Sequence, residues 1–118
     1  MPAGYARAMQ AWMSLFGAII AEVIGTSALK ATAGFTRLLP SLVVLVAYAL
    51  AFYLLSRTMQ TIPMSISYAV WSGVGIVLIT LVGYVVYHQR LDGPALLGLG
   101  LILAGVLVIH LFSKSVAH

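Results

Sequence analysis

The chain carries only two acidic residues, Glu22 and Asp92. Glu22 lies near the middle of WMSLFGAIIAEVIGTSALK, a run from Trp12 to Lys30 that is long and apolar enough to cross a bilayer as one helix. A carboxyl group at mid-membrane costs on the order of 3 kcal/mol by insertion scales and marks a functional site by default. The plainer alternative is a protonated carboxyl that only hydrogen-bonds a neighbouring helix. One helical turn either way from Glu22 stand Ala18, Ile19, Gly25 and Thr26, a mostly small face that lets other groups come close. Two aromatic pairs share helix faces deep within other apolar runs: Tyr48 with Phe52, and Tyr68 with Trp71. A buried Tyr or Trp needs a partner for its O–H or N–H, and Glu22 is one of the few polar groups on offer.

A carboxylate among aromatic faces suits a lipophilic, delocalised organic cation. The charge pairs with Glu22, and the rings add a cation–π attraction of ~2 kcal/mol when desolvated. A metal ion would want several oxygen ligands that this interior lacks. There are no cysteines, and His88, His110 and His118 have no second ligand at helical spacing, so neither a metal nor a cofactor is expected. No nucleophile–base arrangement surrounds Glu22, which argues against an enzyme. Proton and cation compete for one carboxyl group, and that competition alone can couple inward proton flow to outward cation flow. The residues therefore point to proton-driven export.

The elements that position these residues follow from composition. Of 118 residues, 63% are hydrophobic and 7% charged, with a mean hydropathy of +1.12. A soluble domain of this length could not bury so much apolar surface. Four apolar runs, at about 12–29, 40–56, 63–87 and 94–112, are expected to form an all-α transmembrane domain over residues 11–113. Residues 1–10 read as a disordered or interfacial leader, and 114–118 as a short tail. A signal peptide is the competing reading of the N-terminal end, but the run is too long and contains an acid. Pro40, Pro63 and Pro94 fall at expected helix starts, where a missing N–H costs nothing.

The third run, about 25 residues or roughly 37 Å, must tilt or bend. Gly73 and Gly75 at its centre lower the resistance to bending, or else allow close packing against a neighbour. On the fourth run Gly98 and Gly105 are seven residues apart and share a face, the spacing of a helix–helix seam. Trp12, Tyr84 and Tyr87 fit an interfacial belt.

The pI near 9.8 invites a nucleic-acid reading, but the six Lys and Arg are strung singly between apolar runs rather than clustered. With four spans, Arg7, Arg57 and Lys114 share one side of the membrane and Lys30, Arg37 and Arg90 the other. Such a balance favours no orientation and permits insertion both ways. An antiparallel homodimer would then supply the inverted symmetry that transporters often carry within one chain.

Four segments carry a family resemblance: AEVIGTSALK, GFTRL, SYAVWSGVGIVLI and QRLDGPALLGLGLILAGV. Together, over about Met9 to His118, they make the chain similar to the small multidrug resistance family, and closest to its quaternary-ammonium exporters. The resemblance implies an antiparallel homodimer of four-helix subunits in the bacterial inner membrane, exchanging protons for drug cations by alternating access. By motif, Glu22 would be the shared proton and substrate site. Tyr48, Phe52, Tyr68 and Trp71, with Ala18 and Thr26, would line the pocket. Gly73 and Gly75 would be the kink, and Gly98 and Gly105 the dimer contact. The chain departs from close relatives at Ala33, where an acid is common, and at Arg57, where a neutral residue is. A guanidinium exporter of the same family and a non-transporting partner subunit stand as alternatives. The wording AEVIGT and the aromatic face of the second helix argue against the former, and the central acid against the latter.

Overall fold

A computed structural model describes residues 3–114. Four α-helices make it up: α1 (Ala3–Ala31), α2 (Leu38–Thr58), α3 (Met64–Val85) and α4 (Gly93–Phe112). Each is long and apolar enough to cross a membrane. No strand occurs among the described residues, as expected for a chain whose backbone groups must be satisfied within each span. His118 and most of the tail lie outside the described residues.

The boundaries differ from the sequence expectation for identifiable reasons. α1 begins at Ala3, not near Trp12, because Ala, Arg, Met and Gln between Gly4 and Ala11 are good helix formers with no breaker among them. Within the described residues, the expected leader is thus the first turns of α1, where Ala8 and Ala11 are buried. α2 starts two residues before Pro40, which sits in the first turn, where an N–H has no intrahelical acceptor anyway. Pro63 is the N-cap of α3 rather than its first residue. Asp92 is the N-cap of α4: its carboxylate accepts from the Ala95 N–H at 3.0 Å, with Pro94 just inside the helix.

The loops close tightly. After α1, Ala33, Gly34 and Phe35 all take positive φ, and the fully buried Thr32 holds that turn. Its carbonyl accepts from the N–H groups of Thr36 and Arg37 at 2.9 and 3.1 Å, and its hydroxyl accepts from the Phe35 N–H at 3.2 Å. After α3, His88 is left-handed, and the Gln89 N–H returns to the Gly83 carbonyl at 2.9 Å. His88 therefore serves a turn, and the described residues contain no His/Asp/Glu cluster able to hold a metal.

The core lies along α1, whose Leu15, Ala18, Ile19 and Val23 meet Leu55 of α2, Val70 of α3 and Val106 of α4. α1 packs on α2 and α3, whereas α4 rests mainly on α3, with Val106 as its buried residue. Trp12, expected only as a belt residue, meets the His110 ring edge-on at 5.4 Å and ties the end of α4 to α1. Tyr87 likewise does more than mark an interface. Its hydroxyl donates to the Ser27 carbonyl, and the Lys30 ammonium lies 4.9 Å from its ring centre.

Candidate functional site

Glu22 stands half-buried on α1 and faces an open cleft of about 250 Å³. The cleft is lined by Glu22 and Thr26 of α1 and by Tyr68, Trp71, Ser72, Gly75, Ile76 and Ile79 of α3. α3 comes close because it offers Gly75 opposite the acid. A Cβ built there would lie 3.8 Å from Glu22 Oε2 and 3.8 Å from the Trp71 ring, an ordinary contact that still takes room beside the carboxylate. No basic side chain lines the cleft. Lys30 is eight residues along α1 from Glu22, about 12 Å at 1.5 Å per residue.

The carboxylate is held by a relay. Thr26 Oγ1 donates to Glu22 Oε1 at 2.6 Å, and the Tyr48 hydroxyl lies 2.7 Å from Thr26 Oγ1. A hydroxyl has one hydrogen to give, and Thr26 gives its own to the carboxylate, so Tyr48 is the donor to Thr26. Two hydroxyls are thereby aligned toward Glu22 from two helices. Gly25 makes this possible: a Cβ there would be 2.9 Å from two carbons of the Tyr48 ring and 3.2 Å from the Ala47 Cβ.

The aromatic side chains form one chain across α2 and α3. Ring centres are 6.4 Å apart for Tyr48–Phe52, 6.2 Å for Phe52–Trp71 and 5.6 Å for Tyr68–Trp71, tilted or edge-to-face as aromatic quadrupoles prefer. Phe52 and Tyr68 are 58% and 59% exposed, so two of the four rings present open faces. A smaller pocket of about 180 Å³, sharing Thr26 and Ile79 with the cleft, continues toward the α3–α4 loop past Ser27, Lys30 and Tyr87. The Ser27 hydroxyl is buried there with no partner among the described residues.

Glu22, Thr26, Tyr48, Phe52, Tyr68 and Trp71 are thus brought together. Ala18 is not: it is 1% exposed in the core, packed with Leu15 and Ile19 and away from the cleft lining. Gly73 faces α4, where a Cβ would come within 2.3 Å of Val106 Cγ2, and α3 is unbroken helix through both Gly73 and Gly75. Gly98 and Gly105 have nothing within 4 Å of where a Cβ would stand, so the face they share is open in the single chain. Ser72, Ile76 and Ile79 line the cleft unforeseen, although their spacing from Tyr68 and Gly75 on one helix could have flagged them.

Four membrane-length helices, with one half-buried carboxyl in a cleft between α1 and α3 whose lining includes aromatic rings and no cation, mark a multi-pass membrane protein of the small-transporter kind. The chain belongs to the small multidrug resistance family, whose profile, described as Small Multidrug Resistance protein, matches residues 10–102. It is 49% identical to the quaternary ammonium compound-resistance protein QacE of Escherichia coli, over 93% of this chain and 100% of that one. It is 52% identical over the same shares to the multidrug transporter EmrE of Escherichia coli K12. With QacG of a Staphylococcus species, another quaternary ammonium compound-resistance protein, the identity is 38% over 88% of this chain and 97% of the relative.

Proposed function

We propose that the protein exports lipophilic organic cations, quaternary ammonium compounds and related aromatic cations, in exchange for protons across the bacterial inner membrane. The observation that carries this reading is the Glu22 cleft, which holds a carboxyl and no basic side chain. A carboxylate there needs a positive partner from outside the chain, and both a proton and an organic cation qualify. Each displaces the other, so the carboxyl is never emptied of one without being open to the other. The exposed faces of Phe52 and Tyr68 and the edge contacts of Trp71 select a flat or lipophilic cation over a hydrated ion.

The Tyr48–Thr26 relay lets the site serve both ligands. Its hydroxyls point their hydrogens at the carboxylate when a cation is bound, and they can reverse when the carboxyl carries its own proton. Alternating access follows if two copies pair antiparallel through the open Gly98–Gly105 face of α4, placing two Glu22 carboxyls around one central pathway. Bending of α3 at Gly73 and Gly75 would open that pathway to one side at a time.

The test is equilibrium binding of tetraphenylphosphonium to the detergent-solubilised protein from acid to mildly alkaline pH, with Glu22→Gln alongside. Binding should tighten as pH rises and protons leave the carboxyl, and the glutamine variant should not bind. Binding that ignores pH, or that survives in Glu22→Gln, refutes competition at Glu22.

A further inference from the structure

Two arginines stand apart from the cation site. A second open cavity, of about 500 Å³, forms where the first turns of α1 meet the end of α2 and the α2–α3 connection. Arg7, Gln10 and Ser14 line it from α1, a ridge at three- and four-residue spacing, and Arg57, Gln60 and Thr61 line it from the other side. The small, buried Ala8 and Ala11 let α2 close in here, and the Thr58 hydroxyl reaches the Ala11 carbonyl at 3.4 Å. The Arg57 guanidinium is steadied by the Tyr53 hydroxyl, to which it donates at 3.3 Å.

No carboxylate lines this cavity. Glu22 is eight residues beyond Ser14 on α1, and Asp92 caps α4 from the α3–α4 loop. Two permanently charged guanidinium groups and four neutral polar side chains therefore share one cavity without an anion among the described residues. Arginine is the side chain suited to phosphate, because its planar fork meets two phosphate oxygens at once.

The level of the cavity indicates the source of the anion. α1 is 29 residues long, about 43 Å at 1.5 Å per residue, against a hydrocarbon core of about 30 Å. A span centred on that core would put the first turns of α1, and the end of α2 at Thr58, level with the lipid headgroups. Tyr53 of α2, the hydrogen-bond partner of Arg57, remains exposed beside the cavity, an aromatic surface along which an acyl chain can lie. We propose that the Arg7–Arg57 cavity binds the phosphate headgroup of an anionic glycerophospholipid. A zwitterionic lipid brings the same phosphodiester with a quaternary cation attached, which the two arginines repel. The site is independent of cation export: Arg7 lies outside the family-matched residues 10–102, and neither arginine lines the Glu22 cleft.

The experiment is native mass spectrometry of the delipidated full chain, titrated separately with phosphatidylglycerol, phosphatidylcholine and inorganic phosphate. Phosphatidylglycerol should bind several-fold more tightly than phosphatidylcholine, and inorganic phosphate should not displace it at equal concentration. Arg7→Gln and Arg57→Gln should each lower phosphatidylglycerol affinity about five-fold, and Arg57→Lys, which keeps the charge but loses the fork, should lower it less. Tetraphenylphosphonium binding on the same samples should be unchanged and reports that each variant is folded. Equal binding of the two lipids overturns the proposal, as does a folded glutamine variant that keeps its lipid preference. Displacement of the lipid by inorganic phosphate at equal concentration marks a free-anion site and overturns the lipid assignment. Should Arg57→Gln fail to fold, Arg7→Gln on its exposed turn decides by the same criterion.

Discussion

Gly73 gives the sharpest test of how the helices are held together. A Cβ at this position would sit 2.3 Å from Val106 Cγ2 and 3.2 Å from Val106 Cβ. Ordinary contact begins at 3.4 Å, so Gly73→Ala forces a displacement of about 1 Å. Val106 cannot swing aside cheaply, because it is β-branched and a helix strongly favours a single χ1 rotamer for valine. Overpacking of this size costs about 1–3 kcal/mol, and the better helix propensity of alanine returns at most about 1 kcal/mol. Gly73→Ala should therefore destabilise by about 1 kcal/mol, read as equilibrium unfolding in a denaturing detergent with circular dichroism. Val106→Ala alone should also cost about 1 kcal/mol in lost contacts. The double variant should be no less stable than Val106→Ala, since the new methyl group fills the space that the valine vacates. The coupling between the sites is then about 1–3 kcal/mol. Effects that add to within about 0.5 kcal/mol refute the contact. A transport defect of Gly73→Ala that persists when Val106→Ala restores stability would assign the glycine to bending of α3 instead.

Two further substitutions probe other links. Tyr48→Phe keeps the ring seated against Gly25 but removes the hydroxyl that donates to Thr26. Losing one such bond is worth about 0.5–1.5 kcal/mol, so tetraphenylphosphonium affinity at fixed pH should fall roughly two- to ten-fold by calorimetry. An unchanged affinity would disconnect Tyr48 from Glu22. Asp92→Ala removes the α4 cap bond to the Ala95 N–H and should cost about 1 kcal/mol of unfolding free energy, most of it retained in Asp92→Asn; equal losses in both variants would show that the cap bond is not what Asp92 contributes.

Much of the molecule can be read along the chain. Hydropathy alone gives four spans, because lipid leaves a backbone of this length little choice but helices. The rarity of acids singles out Glu22, and helical spacing puts Tyr48 with Phe52 and Tyr68 with Trp71. Helix ends are less legible: the alanine-rich Ala3–Ala11 segment looks like a leader by polarity, yet it forms helix by propensity.

Which faces meet is beyond the sequence, and the reason is physical. In a membrane, lipid is as apolar as a neighbouring helix, so outward and inward faces carry the same residue types and no hydrophobic stripe marks the core. Small residues mark close approach, but only the fold says to what. Gly25 admits the Tyr48 ring, Gly73 admits Val106, Gly75 leaves room beside Glu22, and Gly98 and Gly105 meet nothing within the chain. Ala18, of the same small type and one turn from Glu22, goes to the core instead of the cleft. Joining Arg7 to Arg57 and Phe52 to Trp71 likewise took the tertiary structure. The sequence by itself determined the number of spans and the one charge inside them. The choice of partner for each helix face was left to packing.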